Sequence, residues 1–394
     1  MKSVKRTRSL AQRGDVAPFI AMDVMREAHN LAAHGRKVLH MEVGQPGFPA
    51  PKAVRDAAVR ALASERLGYT EGTGLPALRD GIAAYYQDAH DVQIDPRRVV
   101  VTTGSSAGFI IAFLALFDAG EKILLPVPTY PAYRNILTAL DLQPQMMHLP
   151  AAQYGVPTVN DVARAASADD KVAGLLVASP ANPTGTVIGT DDLASLAGQC
   201  RSDALWLISD EIYHGLSYGS AVTDTALRHD DEAIVINSFS KYYCMTGWRI
   251  GWMIVPDRLV RVAERLAQNL FICAPALSQH AALAAFDATD DLTEVKAVYQ
   301  QNRQMLLERL PAIGLPDLYP ADGAFYIYAN CGAYTNDSVA FAQMLLHEDG
   351  IAVTPGVDFD PVDGDRYIRL SYAGTTDTIE KALAKLEKRL ANLR

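Results

Sequence analysis

The run Ser238-Phe239-Ser240-Lys241-Tyr242-Tyr243-Cys244-Met245-Thr246-Gly247-Trp248-Arg249 holds the most chemically informative residues of the chain. The lysine closely follows an apolar run, Ala233-Ile234-Val235-Ile236, has hydroxyls beside it, and precedes an arginine by eight residues. An amine at the end of a buried strand is desolvated, which lowers its pKa and frees it as a nucleophile toward a carbonyl. Hydroxyls and a guanidinium close by suit a phosphate. Together they describe a site for a phosphorylated aldehyde, of which pyridoxal phosphate is the common one. A lysine in a salt bridge, followed by a glycine cap, also fits the lysine alone but leaves the spacing unexplained.

Other segments offer complementary groups. Thr103-Gly104-Ser105-Ser106-Ala107 joins a strand to a helix, where backbone N–H groups and hydroxyls favour a phosphate, although serine caps are common in any protein. Ser209-Asp210-Glu211-Ile212-Tyr213 follows an apolar strand, so Asp210 points into a dry crevice and needs a partner there. A protonated pyridine nitrogen would serve, and the pair would keep the ring electron-poor; a helix cap or a structural ion pair is the alternative. Arg369, inside Tyr367-Ile368-Arg369-Leu370-Ser371, has the planar fork that binds a carboxylate bidentately, or else reaches solvent from its strand.

The elements that must position these groups are legible between about Arg98 and Val255. Runs at Val99–Thr102, Lys122–Leu125, Gly174–Val177, Leu205–Ile208 and Ala233–Ile236 are continuously apolar, as in strands buried on both faces of a parallel sheet. Helices at Ala107–Phe117 and Thr190–Cys200 supply crossovers. Arg249–Val255 follows the lysine after a link too short for a crossover helix, so it is predicted to run antiparallel. Gly104, Tyr130, Asn182, Asp210 and Lys241 each come just after a strand, the edge at which such sheets bind ligands. Beyond Ala274 the pattern becomes α+β: a helix over Ser278–Arg309, a strand in Gly323–Tyr328, short strands near Ile351 and at Tyr367–Ser371, and a last helix from Thr378. The fold class expected is α/β, a mostly parallel sheet with one antiparallel strand flanked by helices, plus a smaller α+β domain. The division expected is 45–275 for the large domain and 276–394 for the small one, with 1–44 as an N-terminal arm and part of the small domain.

Composition excludes several partners. The net charge of −9 argues against nucleic acid and an anionic membrane surface, and no apolar run is long enough to span a bilayer. Four cysteines (Cys200, Cys244, Cys273, Cys331) lack metal-ligand spacing and read as reduced thiols of a cytoplasmic protein, with no metal site. The first thirteen residues carry Lys2, Lys5, Arg6, Arg8 and Arg13 and no acid, without the apolar core of a secretory signal. They read as an arm on a partner subunit or as a transit peptide.

From about Val43 to Arg369 the ordered motifs resemble those of the class I pyridoxal-phosphate aminotransferases, the aspartate aminotransferase family. The resemblance implies pyridoxal phosphate held by Lys241 as a Schiff base. Its phosphate is gripped by Gly104, Ser105, Ser106, Ser238 and Arg249, and its ring is stacked by Tyr130. Asp210 pairs the pyridine nitrogen, while Asn182, in Ser179-Pro180-Ala181-Asn182-Pro183-Thr184-Gly185, and Tyr213 bind the phenolic oxygen. Arg369 holds the substrate α-carboxylate, with Gly44 and Asn182 close to it. Tyr69, in Gly68-Tyr69-Thr70-Glu71-Gly72, reaches the cofactor phosphate of a second subunit, which implies a homodimer with shared sites.

The activity implied is a ping-pong transamination between an L-amino acid and a 2-oxo acid, with Lys241 as the proton-moving base. A C–S β-lyase or related lyase on the same scaffold shares the Lys, Asp and Asn motifs; closeness of pattern favours transamination. A metabolite-sensing regulator would carry a DNA-binding domain, for which no room is expected before the first motif. Ser106 stands where some relatives place a lysine for a distal carboxylate, against strict aspartate specificity. Phe19, Tyr326 and Tyr328 lean toward an apolar or broad donor range. Cys244 and His214 are expected to be packing.

Overall fold

The computed structural model describes residues 10–393; Lys2, Lys5, Arg6 and Arg8 of the basic segment lie outside the described residues. In chain order the strands are β1 (Leu39–His40), β2 (Val99–Thr102), β3 (Lys122–Val127), β4 (Gln143–His148), β5 (Val172–Ala178), β6 (Trp206–Asp210), β7 (Ile234–Ser238), β8 (Gly251–Ile254), β9 (Tyr326–Asn330), β10 (Ile351–Ala352), β11 (Thr354–Pro355) and β12 (Tyr367–Ser371). Seven of them form one sheet in the order β2-β8-β7-β6-β5-β3-β4. Only β8 runs against its neighbours, pairing antiparallel with both β2 and β7, as the short link after Lys241 requires. All the other pairs in that sheet are parallel.

Alternate residues of the central strands enter different cores, which explains their unbroken apolar runs. Leu175, Leu207, Val235 and Trp252 pack on one face with the helix Pro76–His90, whereas Leu176, Ile208, Ile236 and Met253 pack on the other with the helix Gly104–Leu116. The sequence gives no sign of β4. Its Gln-Pro-Gln-Met-Met-His stretch lacks an apolar run because it is an edge strand paired only to β3, a position that also tolerates Pro144.

A separate core surrounds the antiparallel sheet β11-β12-β9, covered by the helices Thr289–Ile313 and Thr376–Leu393. β1 pairs parallel with β10, Leu39 opposite Ile351, so the chain entering the large sheet is tied to this second core. Two helix expectations are corrected. Ser278–Arg309 is two helices, Ala276–Leu283 and Thr289–Ile313; Asp290 and Asp291 occupy the first turn of the second, where acidic residues favour a helix start, and the Asp291 carboxylate accepts the Lys52 backbone N–H at 2.9 Å. The last helix begins at Thr376, with the Thr375 hydroxyl accepting the Thr378 N–H at 3.3 Å. No helix among the described residues is long and apolar enough to cross a membrane. Cys200, Cys244 and Cys331 are buried free thiols, and Cys273 is half-buried.

Candidate active site

A cavity of about 450 Å³ opens at the carboxyl ends of β5, β6 and β7 and is completed by Phe19, Gly44 and Arg369 from the N- and C-terminal parts of the chain. Asp210 ends β6 and is 4% exposed. One carboxylate oxygen accepts the Tyr133 hydroxyl and the other accepts the Ile212 N–H at 3.0 Å. Burial pushes its pKa up to about 6, opposed by those two hydrogen bonds and by the Lys241 charge.

Lys241 is half-buried, and its Nζ donates to the Gly44 carbonyl at 2.7 Å. Burial is the main cause of a pKa pushed down to about 8, with Arg369 and Arg249 adding to it and Asp210 opposing. About half of such amines are neutral at pH 8, whereas an exposed lysine is almost wholly charged there. The Tyr213 hydroxyl meets that of Tyr326 at 2.7 Å, and burial holds the pKa of Tyr213 well above the usual range. Gly44 permits this arrangement, because a Cβ there would run into the Tyr326 hydroxyl.

Arg369 is 2% exposed on β12. Its guanidinium carbon lies 4.4 Å from the Tyr326 ring centroid and 4.6 Å from that of Phe359. Nη1 donates to Asn182 Oδ1 at 2.8 Å, and Nη2 donates to the Glu42 carbonyl and to Thr354 Oγ1 at 3.2 Å. Nε is buried with no hydrogen-bond partner, a donor left over for a ligand.

At the other end, Ser105 and Ser106 line the cavity from the first turn of the helix Gly104–Leu116, whose Thr103 side chain makes no capping bond. The helix-start amides and dipole there favour an anion. Gly104 has φ +72°, and a Cβ on it would strike the Arg249 guanidinium. Arg249, also left-handed at φ +50°, donates to the Thr246 carbonyl at 2.9 Å and pairs with no carboxylate among the described residues.

Three expected residues are not on the cavity wall: Gly104, which lies against the Arg249 guanidinium, Ser238 and Tyr69. Ser238 is buried behind Ser240, its Oγ 2.8 Å from Ser240 Oγ and 2.9 Å from the Ile250 carbonyl, and Ser240 takes the lining position. Tyr69 is 83% exposed and borders another crevice with Thr103, Ile272 and His280. Tyr130 does line the cavity, its ring 5.6 Å from Phe19 and 5.3 Å from Tyr133, both edge-on. Phe19 and Tyr326 line it too, but Tyr328 stacks on Tyr367 at 4.8 Å in a separate crevice with His148. Tyr133 and Thr246 went unnoticed in the sequence. The signal for Tyr133 was Asp210 itself, a buried carboxylate in need of a donor. His214 is not simple packing, since it meets His90 and Glu211.

Residues 36–386 match the family model for aminotransferase class I and II. The chain belongs to the class I and II aminotransferases. This aminotransferase is 45% identical to the valine–pyruvate aminotransferase of Mycobacterium tuberculosis over 391 residues, 96% of this chain and 98% of the relative. Its fold superposes on the crystal structure of an aminotransferase from the same organism with a TM-score of 0.95 at 44% identity, covering 98% and 100% of the two chains. Against the Thermus thermophilus aspartate aminotransferase with maleate the TM-score is 0.91 at 29% identity, covering 97% and 100%. The enzyme is therefore a transaminase, and its reaction moves an amino group. The lyase reading finds no counterpart among these relatives. In an aminotransferase of this class, whose members use pyridoxal phosphate, the cavity offers a desolvated amine, an opposing carboxylate, an anion-binding turn and a partly unsatisfied guanidinium.

Proposed function

We propose that this transaminase uses pyridoxal phosphate to move the amino group of an uncharged, apolar L-amino acid to a 2-oxo acid, in two half-reactions at one site. The donor set fits the cofactor. Ser105, Ser106, Ser240 and Arg249 would hold its phosphate, with Gly104 leaving room for the guanidinium and Ser238 holding Ser240 from behind. Asp210 would face the ring nitrogen and Tyr130 the ring. The Asn182 amide, whose oxygen is taken by Arg369, keeps its NH₂ to donate, and with Tyr213 it would bind the phenolic oxygen. When bound, the cofactor supplies an electron sink for the charge left on the donor's Cα.

The chain's own residues do the rest. Arg369 anchors the α-carboxylate through its fork, held rigid between two rings. Lys241 Nζ, neutral in useful proportion near pH 8, takes the proton from Cα and holds it close by until it is needed. Asp210, ionised above about 6, keeps a positive charge on the ring nitrogen favourable. Phe19 and Tyr130 cover the cavity and exclude water.

The observation that carries the substrate class is the inventory of cations. Lys241, Arg249 and Arg369 are the ones that line the cavity among the described residues, and each has a task, so none remains for a side-chain carboxylate. Phe19, Met22 and Ile136 line the remaining wall. The name of the Mycobacterium tuberculosis relative, valine–pyruvate aminotransferase, points the same way. Exposed Val59, Leu62, Tyr69 and Ile272 support a homodimer in which Tyr69 serves the other subunit's phosphate site. With this go a large domain at 45–275, a small one at 276–394 joined by 1–44, and a place in the cytoplasm.

The test is a donor panel with pyruvate as acceptor, comparing valine and leucine with aspartate. Valine and leucine are expected to exceed aspartate in kcat/KM by at least about 100-fold, the scale of one unpaired charge in an apolar wall. Equal or better use of aspartate would contradict the substrate class.

A further inference from the structure

The turn that follows β6 faces two ways. Asp210 and Tyr213 look into the cavity, whereas Glu211 and His214, each one residue further on, look into the core and are 0% and 3% exposed. Nothing in the chemistry above uses the second pair, although a buried carboxyl is costly and an apolar residue would pack there more cheaply.

Its surroundings are built for it. Glu211 Oε1 accepts Ser209 Oγ at 3.2 Å, Thr225 Oγ1 at 3.0 Å and the Ala226 N–H at 3.0 Å. Oε2 accepts the Tyr86 hydroxyl at 3.4 Å and lies 3.5 Å from His214 Nδ1, which is itself 3.2 Å from His90 Nε2. One carboxyl thus ties together the end of β6, the 225–226 turn, the helix Pro76–His90 and its own turn. His214 Nδ1 stands between two groups that can each give or take a proton, and it can exchange one proton with Glu211 or with His90, one at a time. The other charged groups nearby are already engaged: Asp224 takes Arg228 at 2.9 Å and His229 at 2.8 Å.

We infer that Glu211 and His214 are positioning residues, forming with His90 a proton-sharing anchor that fixes the aim of Asp210 and Tyr213 and sets the charge just behind them. Burial pushes Glu211 up to about 8 and His90 down to about 4, so the anchor is uncharged at neutral pH and becomes anionic as pH rises through about 8. Below that pH a glutamine at 211 keeps an oxygen for the three donors on Oε1 and an N–H for His214, and loses only the acceptor of the Tyr86 hydroxyl. Above it, the glutamine no longer copies the side chain.

The inference rests on reading the cavity as the pyridoxal-phosphate site. It is tested by titrating full-length apoenzyme with pyridoxal phosphate, followed by absorbance and fluorescence, from pH 6.5 to 9, for wild type, Glu211→Gln and Glu211→Ala. The expected dissociation constant of Glu211→Gln is within about 2-fold of wild type at pH 6.5 and departs by 5-fold or more at pH 9. Glu211→Ala is expected to bind at least 10-fold more weakly throughout; should it not fold, the glutamine variant decides alone. A glutamine-to-wild-type ratio that stays constant with pH, the mark of a merely structural residue, overturns the anchor. So does an alanine variant that binds like wild type. Wild type failing to bind pyridoxal phosphate at all would instead overturn the cofactor reading beneath it.

Discussion

Replacing Tyr133 with phenylalanine removes one hydroxyl and leaves its ring, which packs 5.0 Å from Phe109 and 5.3 Å from Tyr130, in place. The lost group is a donor to the buried Asp210 carboxylate. A hydrogen bond to a charged acceptor contributes about 1.5–3 kcal/mol, and one pKa unit corresponds to about 1.4 kcal/mol. Asp210, already pushed up to about 6 by burial, should therefore rise further, by roughly 1–2 units. A carboxyl is ionised above its pKa, so the ionised fraction at pH 7 drops from roughly nine-tenths to between about a half and a tenth. Only the ionised form pairs with a protonated ring nitrogen. Pyridoxal-phosphate affinity and kcat at pH 7 should fall by about 2–10-fold and recover by pH 9. Equilibrium titrations and initial rates from pH 5.5 to 9 measure this directly. A loss independent of pH, or an unchanged acid limb, would refute the electrostatic role given to Tyr133.

Other substitutions probe other walls. Arg369→Lys keeps the charge but loses the fork, and kcat/KM for the amino donor should fall by about 100-fold or more, with cofactor binding within about 3-fold of wild type; comparable loss of both would place Arg369 elsewhere in the chemistry. Gly44→Ala drives a methyl into the Tyr326 hydroxyl and should cost about 1–3 kcal/mol of stability, read from thermal or urea unfolding. In the wild type, cofactor affinity should weaken as pH falls through about 6, where Asp210 gains its proton, and Asp210→Asn should show weak binding without that limb.

The residues most legible in the sequence are those that follow apolar strands. Asp210 and Lys241 stand just beyond runs that could only be buried, and Asn182 stands in a turn beyond another, so chain position alone placed their groups at one edge of one sheet. The antiparallel β8 was legible for a related reason, since its link leaves no room for a crossover. Tyr133 and Tyr326 were harder, because a tyrosine on a helix or in an apolar strand reads as core until the partner of its hydroxyl is known. The exchange of Ser238 for Ser240 on the cavity wall depends on side-chain direction in the turn after β7, which spacing cannot give. The edge strand β4 carries no pattern because it has one neighbour, and the break near Ala284–Ala288 has no glycine or proline to mark it.

The most direct test is a single-turnover titration of the purified enzyme carrying pyridoxal phosphate, with valine added in the absence of any oxo acid. The expected result is conversion of the bound aldehyde form to the amine form, one equivalent of 2-oxo acid per site, and no conversion in Lys241→Ala. Catalytic release of ammonia with the aldehyde form intact, or full-rate conversion without the lysine, would contradict transamination through Lys241.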